Sequence, residues 1–395
     1  MNLEKVSKYL IYLIIILGAF FPIASYVLMG IIIINIILLK KEQEIIIKLR
    51  NNIILLMMVI SMILSSIFSE IWYVSVFFSI FFIIQVLFSI SVSTFLDESD
   101  FSRVLSIIMY LGIAVSVIGL FQYYFQIGNI QKSWIDKNVY NIDFRVYSTF
   151  FNPNILAIFL NLTIITSVVS ITETNKTKIL VPAAICTMTS TVCLLLTYSR
   201  GGWIPLCISF VLLGIFDRRF LKYIVVFGAI FGGFDYASDV GRLMPQKIVI
   251  DSSVGYRIKL WKASFDIIQD NPILGIGKGT VWNKIPEYSN TITAYVSHVH
   301  NVFLQILVDT GVVGATVFVI FIKDIWNRIK FNIKKKQSIG LITKVSLGFY
   351  VTLIVNGFFD AVCLQSQISI FVWFLIGINF IDEKANDLEL MQEEY

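Results

Sequence analysis

An all-α integral membrane protein with about twelve transmembrane helices is the fold class this sequence predicts, on three observations. The chain of 395 residues is 57% hydrophobic and 14% charged, with a mean hydropathy of +0.81, whereas a soluble domain carries roughly a quarter charged residues. Apolar runs of near-membrane length recur along it, separated by short polar punctuation, and a spanning helix needs roughly 17 to 25 mostly apolar residues. Lysine and arginine gather in alternate connections, as they do on the cytoplasmic side of a polytopic protein.

The apolar runs place helices at 9–22, 26–39, 53–68, 72–93, 104–126, 153–171, 179–198, 202–216, 220–235, 302–322, 341–358 and 363–381. The eighth and ninth are short, so tilt or borrowed flanking residues must complete them. The first run continues past Phe21 with no small-residue cleavage site, so the first helix is expected to be retained. Cys186, Cys193, Cys207 and Cys363 fall in apolar runs without metal-type spacing and read as packing residues.

Orientation follows from the short loops. Lys5 and Lys8 precede the first helix; Lys40, Lys41, Lys48 and Arg50 follow the second; Lys176 and Lys178 the sixth; Arg218, Arg219 and Lys222 the eighth; Lys323, Arg328, Lys330, Lys334, Lys335 and Lys336 the tenth. All fall on one side, which the positive-inside rule makes the cytoplasm, with both termini there. The sequence thus reads as a single polytopic domain over 1–395. Its loops at 127–152 and 236–301, with the turn Ser199-Arg200-Gly201-Gly202, are extracytoplasmic, and the acidic tail 382–395 is cytoplasmic and expected to be disordered.

The 236–301 loop lies between the ninth and tenth helices and is too long for a mere connector. Within it, Tyr256 to Asp270 has helical spacing, with Leu260, Trp261, Ser264, Phe265 and Ile268 on one stripe, and Pro272 and Gly275 beyond its end. An amphipathic helix on the outer membrane face or over a cavity is expected.

The outer half also collects Arg145, Arg200, Arg242 and Arg257, against the usual bias. Each either snorkels to lipid headgroups or offers its planar fork of donors to phosphate. Arg200 favours the second reading: it sits between two helices with almost no loop, and Gly201 and Gly202 allow close approach of backbone or ligand. Gly275-Ile276-Gly277-Lys278-Gly279-Thr280 fails the phosphate-loop pattern because Gly279 follows the lysine; it reads as a turn, and nucleotide and nucleic-acid ligands are not expected.

The two histidines of the chain, His298 and His300, stand together where the outer loop meets the tenth helix. They form either an interfacial hydrogen-bonded pair or a proton-transfer group. No cysteine or third histidine completes a structural zinc site, so no metal is expected. Asp309, about two turns into the tenth helix, and Asp360 are carboxylates whose cost in lipid implies partners.

Four segments together resemble the bacterial O-antigen ligase and polymerase superfamily. They are Thr149-Phe150-Phe151-Asn152-Pro153-Asn154; Tyr198-Ser199-Arg200-Gly201-Gly202-Trp203; Arg257 to Trp261 continuing to Pro272 to Gly277; and His298 to Gln305 leading to Asp309 and Gly314. The resemblance covers roughly residues 110–320; Asp309 departs from the glutamate common in the family. It implies a membrane glycosyltransferase of the bacterial inner membrane that needs no cofactor and uses an undecaprenyl-diphosphate-linked glycan, with an extracytoplasmic active site. His300, before Asn301, would be the general base, with His298 the alternate. Arg200 and Arg257, with Arg242 and Arg145, would hold the donor diphosphate; Asn301, Gly201, Gly202, Asn152 and Asp309 would support them.

The first expectation is a polymerase of surface-polysaccharide repeat units, acting on an acceptor glycan beside export or chain-length proteins. The second is a ligase moving the finished glycan to a lipid or protein acceptor. A transporter or flippase is the reading from another class, against which stand the lack of an internal repeat and the concentration of polar residues in outer loops.

Overall fold

Every one of the twelve expected segments carries a helix in the computed structural model, which describes residues 3–128, 136–292, 295–335 and 340–380. Among them the α-helices are α1 (Leu3–Gly18), α2 (Pro22–Leu38), α3 (Glu42–Asn51), α4 (Ile53–Ile67), α5 (Trp72–Phe95), α6 (Phe101–Phe125), α7 (Pro153–Glu173), α8 (Thr177–Leu196), α9 (Arg200–Phe216), α10 (Leu221–Ala237), α11 (Pro245–Ile250), α12 (Ser252–Asp270), α13 (Val281–Tyr288), α14 (Val302–Lys335), α15 (Leu341–Gly357) and α16 (Ser366–Asn379); no strand is present among the described residues. The expected tail at 382–395 and part of the expected loop at 127–152 lie outside them.

Six helical stretches are long and apolar enough to cross a membrane: Trp72–Phe95, Glu98–Phe125, Pro153–Glu173, Thr177–Leu196, Arg218–Ala237 and Val302–Lys330. α4, α9, α15 and α16 are apolar but shorter, and α2 and α3 form a pair bent by 110°. By length and composition, then, half of the twelve expected segments qualify as crossings. The hydropathy reading passed over α3, whose Glu42 and Glu44 in the first turn and Lys48 and Arg50 in the last complement the helix dipole.

The chain divides into two units, Met1–Ser102 with Leu260–Thr343 and Ser366–Tyr395, and Arg103–Lys259 with Lys344–Gln365. In the first, α1 packs on α2, α5 on α4 and α16, and α4 on α14. Its most informative feature is a break in α14 at Gly311, where φ is 61° and ψ is −165°. In an unbroken helix the Val312 and Val313 amides would bond the Val308 and Asp309 carbonyls. Here Val312 donates to Pro272 O at 2.8 Å and Val313 to Ile273 O at 3.3 Å, while the released Val308 and Asp309 carbonyls accept from Ile276 N at 3.0 Å and Gly277 N at 2.9 Å.

This exchange satisfies all four groups, as backbone inside a membrane protein requires. It also explains the glycine-rich turn: Gly275, Gly277 and Gly279 all have positive φ, and a Cβ on Gly275 would lie 2.4 Å from Val308 O. A Cβ on Gly311 would lie 2.3 Å from Ile273 O in a backbone region open essentially to glycine alone. Gly311→Ala is therefore expected to destabilise the protein by about 3 kcal/mol or more, read as a Tm several degrees lower in detergent; an unchanged Tm would remove the assigned role of the break.

In the second unit α7 is the central helix, buried on all sides from Leu156 to Ser170 and packed on α8 and α9. Its hydroxyls turn inward onto its own carbonyls, Thr166 to Leu162 O at 2.8 Å and Ser170 to Thr166 O at 2.7 Å, which allows polar residues at no loss of satisfaction. Pro205 inside α9 has no N–H for the carbonyl of Gly201. Asn356 of α15 supplies the missing donor, its Nδ2 lying 2.9 Å from Gly201 O. No disulfide joins the four cysteines; Cys186 and Cys193 are buried as expected, while Cys363 lies in the turn Val362–Leu364, outside the helix in which the sequence placed it.

Candidate active site

Two of the four arginines expected on the outside, Arg200 and Arg242, meet around one carboxylate, Asp251, in the second unit. Arg200 is the first residue of α9, where the chain turns sharply after α8 through Tyr198, whose φ is 50°. Its Nη2 lies 2.7 Å from Asp251 Oδ2 and its Nη1 donates to the Tyr140 hydroxyl at 3.3 Å. Arg242 reaches the same Asp251 oxygen at 3.7 Å, lies 4.3 Å from the centre of the Tyr140 ring, and donates through Nε to Tyr198 O at 3.1 Å. Asp235 fixes the Arg242 backbone, accepting from its N–H at 2.6 Å and from Leu243 N–H at 2.9 Å.

Arg145 is buried deeper, donating to Thr197 O at 2.7 Å and to Asn154 Oδ1 at 3.0 Å. Arg257, on the first half of α12, acts electrostatically on Arg145 together with Arg242 and Arg200, so all four guanidinium groups share one field. The Arg257 Nε is buried and has no hydrogen-bond partner.

The electrostatics follow from that crowding. Burial, and then repulsion from Arg242, Arg200 and Arg257, holds Arg145 well below the ordinary arginine range. Burial and Arg200 lower Arg242 to about 10. Burial would raise the Asp251 carboxyl, but hydrogen bonds from Ser253 and the two arginines hold it below its usual value. Asp251 is the ion-pair partner of Arg200 and Arg242, while Asp235 is engaged by backbone, so the cluster carries more positive than negative charge. A multiply charged anion would relieve the repulsion and supply an acceptor for the buried Nε.

The supporting residues divide by role. Asn152 caps α7, its Oδ1 accepting from Asn154 N at 2.8 Å. Asn154 in turn accepts from Arg145 and from Ser199 Oγ and donates to Asp360 at 3.3 Å. Asp360 follows α15, and its Oδ1 accepts from Ala361 N at 2.8 Å. Gly201 and Gly202 let helices approach: a Cβ would lie 3.0 Å from Asn356 Nδ2 and 2.7 Å from the Ala157 Cβ, respectively.

The histidines belong to the first unit. They are half-buried, with ring centres 4.3 Å apart, and His298 Nδ1 lies 2.9 Å from Ser297 Oγ. His300 has φ of 52°, a conformation that histidine, asparagine and aspartate adopt more readily than most residues. Asn301 caps α14, its Oδ1 accepting from Leu304 N at 3.0 Å. Between the histidines Val299 is buried, its N–H donating to Gln305 Oε1 at 2.8 Å and its carbonyl accepting from Trp261 Nε1 at 3.0 Å. Asp309 has the partner its burial demands, Gln305 Nε2 at 2.7 Å.

The sequence singled out the arginines and the histidines but not Asp251, Tyr140 and Gln305, which the structure places beside them. Asn154 and Gln305 stood inside quoted motifs without a role. Asp251 and Tyr140 gave no signal, because each meets the arginines only through the fold.

Buried cations are thus grouped in the second unit, and a histidine turn caps the apolar helix α14 in the first. Residues 185–319 match the family model described as O-antigen ligase, which supports an O-antigen ligase or polymerase type of membrane enzyme. The matched stretch contains Arg200, Arg242, Arg257, both histidines, Asn301 and Asp309, while Arg145 and Asn152 precede it. No curated protein matches the chain.

Proposed function

We propose that the protein polymerises undecaprenyl-diphosphate-linked oligosaccharide repeat units into a surface polysaccharide of the O-antigen or capsule type. The observation that carries this reading is the arginine cluster, with its crowded charge and the unpartnered buried Nε of Arg257, because a lipid diphosphate is an anion that such a cluster suits. Arg200, Arg242, Arg257 and Arg145 bind the donor diphosphate and stabilise the negative charge that grows as the carrier leaves. Charge stabilisation is thereby assigned to arginine, without a metal. His300, or His298 as alternate, accepts the proton of an acceptor sugar hydroxyl. The hydroxyl oxygen bonds to the anomeric carbon, whose bond to the diphosphate oxygen breaks, and undecaprenyl diphosphate leaves with the electron pair.

The proposed setting is the inner membrane, with twelve spans, both termini cytoplasmic, and the segments 127–152 and 236–301 outside. The charge asymmetry of the loops supports it. In the second reading the finished glycan passes to a lipid or protein acceptor; the description of the matching family as O-antigen ligase favours it. A deletion strain separates the two. Loss of long chains on the carrier is expected for the polymerase, whereas long carrier-linked chains that lack their final attachment would identify a ligase.

A further inference from the structure

Val299 is the one fully buried residue of the histidine turn, and both of its backbone polar groups are held by side chains from outside the turn, Gln305 and Trp261. The Gln305 amide can take only one orientation there. A backbone N–H is a donor, so the amide oxygen must face Val299 and the NH₂ must face Asp309. Asp309 accepts from it at 2.7 Å and is itself fixed, because the break at Gly311 releases its carbonyl to Gly277 N at 2.9 Å and Ser65 Oγ at 2.5 Å.

We propose that Gln305 is a positioning residue for glycan transfer. It relays the fixed place of Asp309 at the broken helix to the backbone between His298 and His300, and so sets where the histidine rings lie. The helix break then has a functional reason, since an unbroken α14 would keep the Asp309 carbonyl in its own ladder and leave the Gln305 amide a less constrained anchor. The inference rests on the histidine chemistry proposed above and adds the residues that hold it in register.

Two readouts on the full-length protein test it. Amide exchange over the peptide containing Val299, followed by mass spectrometry, needs no assumption about activity. Protection is expected in the wild type, with at least tenfold faster exchange in Gln305→Leu. In glycan transfer from an undecaprenyl-diphosphate oligosaccharide, Gln305→Leu is expected to lower kcat about 10- to 100-fold, as a small misplacement of a reacting group does. The donor KM stays within about twofold, because the arginines are untouched.

Gln305→Glu accepts from Val299 but opposes a carboxylate to Asp309, so it is also expected to be slow. The double variant Gln305→Glu with Asp309→Asn reverses donor and acceptor and is expected to recover both protection and most of kcat. Unchanged exchange in Gln305→Leu would overturn the inference, as would lost protection with wild-type kcat, or equal changes in kcat and KM without rescue. Wild-type transfer by the double variant His298→Ala with His300→Ala would instead overturn the proposed function while leaving the exchange result standing.

Discussion

Arg257→Ala is expected to reduce kcat for glycan transfer by about 10²- to 10³-fold, the usual loss when one donor to a developing negative charge is removed, while leaving stability within about 0.5 kcal/mol. The separation of the two effects follows from where Arg257 stands. Arg145, Arg200 and Arg242 are tied to carbonyls, to Asn154 or to Asp251, so removing any of them also disturbs the fold. The Arg257 Nε is buried without a hydrogen-bond partner, so its removal breaks no such bond. It also relieves repulsion on Arg145. Arg257→Lys keeps the charge and loses the fork, and an intermediate loss is expected. Turnover of a lipid-linked glycan and a Tm in the same detergent check both halves; a large fall in Tm with little change in kcat would make Arg257 a structural residue.

The second large effect is expected at His300. Replacing a general base typically costs about 10²- to 10⁴-fold, and His300→Asn is the cleanest replacement, because asparagine tolerates the left-handed backbone that φ of 52° requires. An alanine there would add backbone strain to the loss of the ring. His298, with a contact to Ser297 Oγ at 2.9 Å, is expected to give a smaller loss if His300 is the base. The reverse order of the two variants would transfer the role to His298.

What the sequence made legible is set by which forces act along the chain and which act through space. Helices at all twelve apolar runs were readable because hydropathy over a window reports the lipid-facing or core-facing character directly. α3 was not, because the alternation of Glu42, Glu44, Lys48 and Arg50 with isoleucines lowers any windowed hydropathy although it makes a good short helix. The break at Gly311 was hidden in an apolar run whose composition looks continuous. Its counterpart, Gly275 to Gly279, was read as a turn, yet its pairing with α14 has no local signature.

The same contrast holds at the site. Four arginines expected on the outer side are a reading of the sequence, and in the fold they share one electrostatic field, but Asp251 and Tyr140 become partners of Arg200 and Arg242 only through tertiary structure. Gly201 and Gly202 were read as room for close approach of backbone or ligand. They are room for Asn356 and Ala157, with the Gly201 carbonyl left open by Pro205 four residues on.

The most direct test of the account is turnover by purified full-length protein of an undecaprenyl-diphosphate-linked repeat unit, with products resolved by mass. Carrier-linked chains lengthened by whole repeat units are expected from the wild type, and none above background from His300→Asn or Arg257→Ala at equal protein. Wild-type product from both variants, or no new glycosidic bond from the wild type, would contradict it.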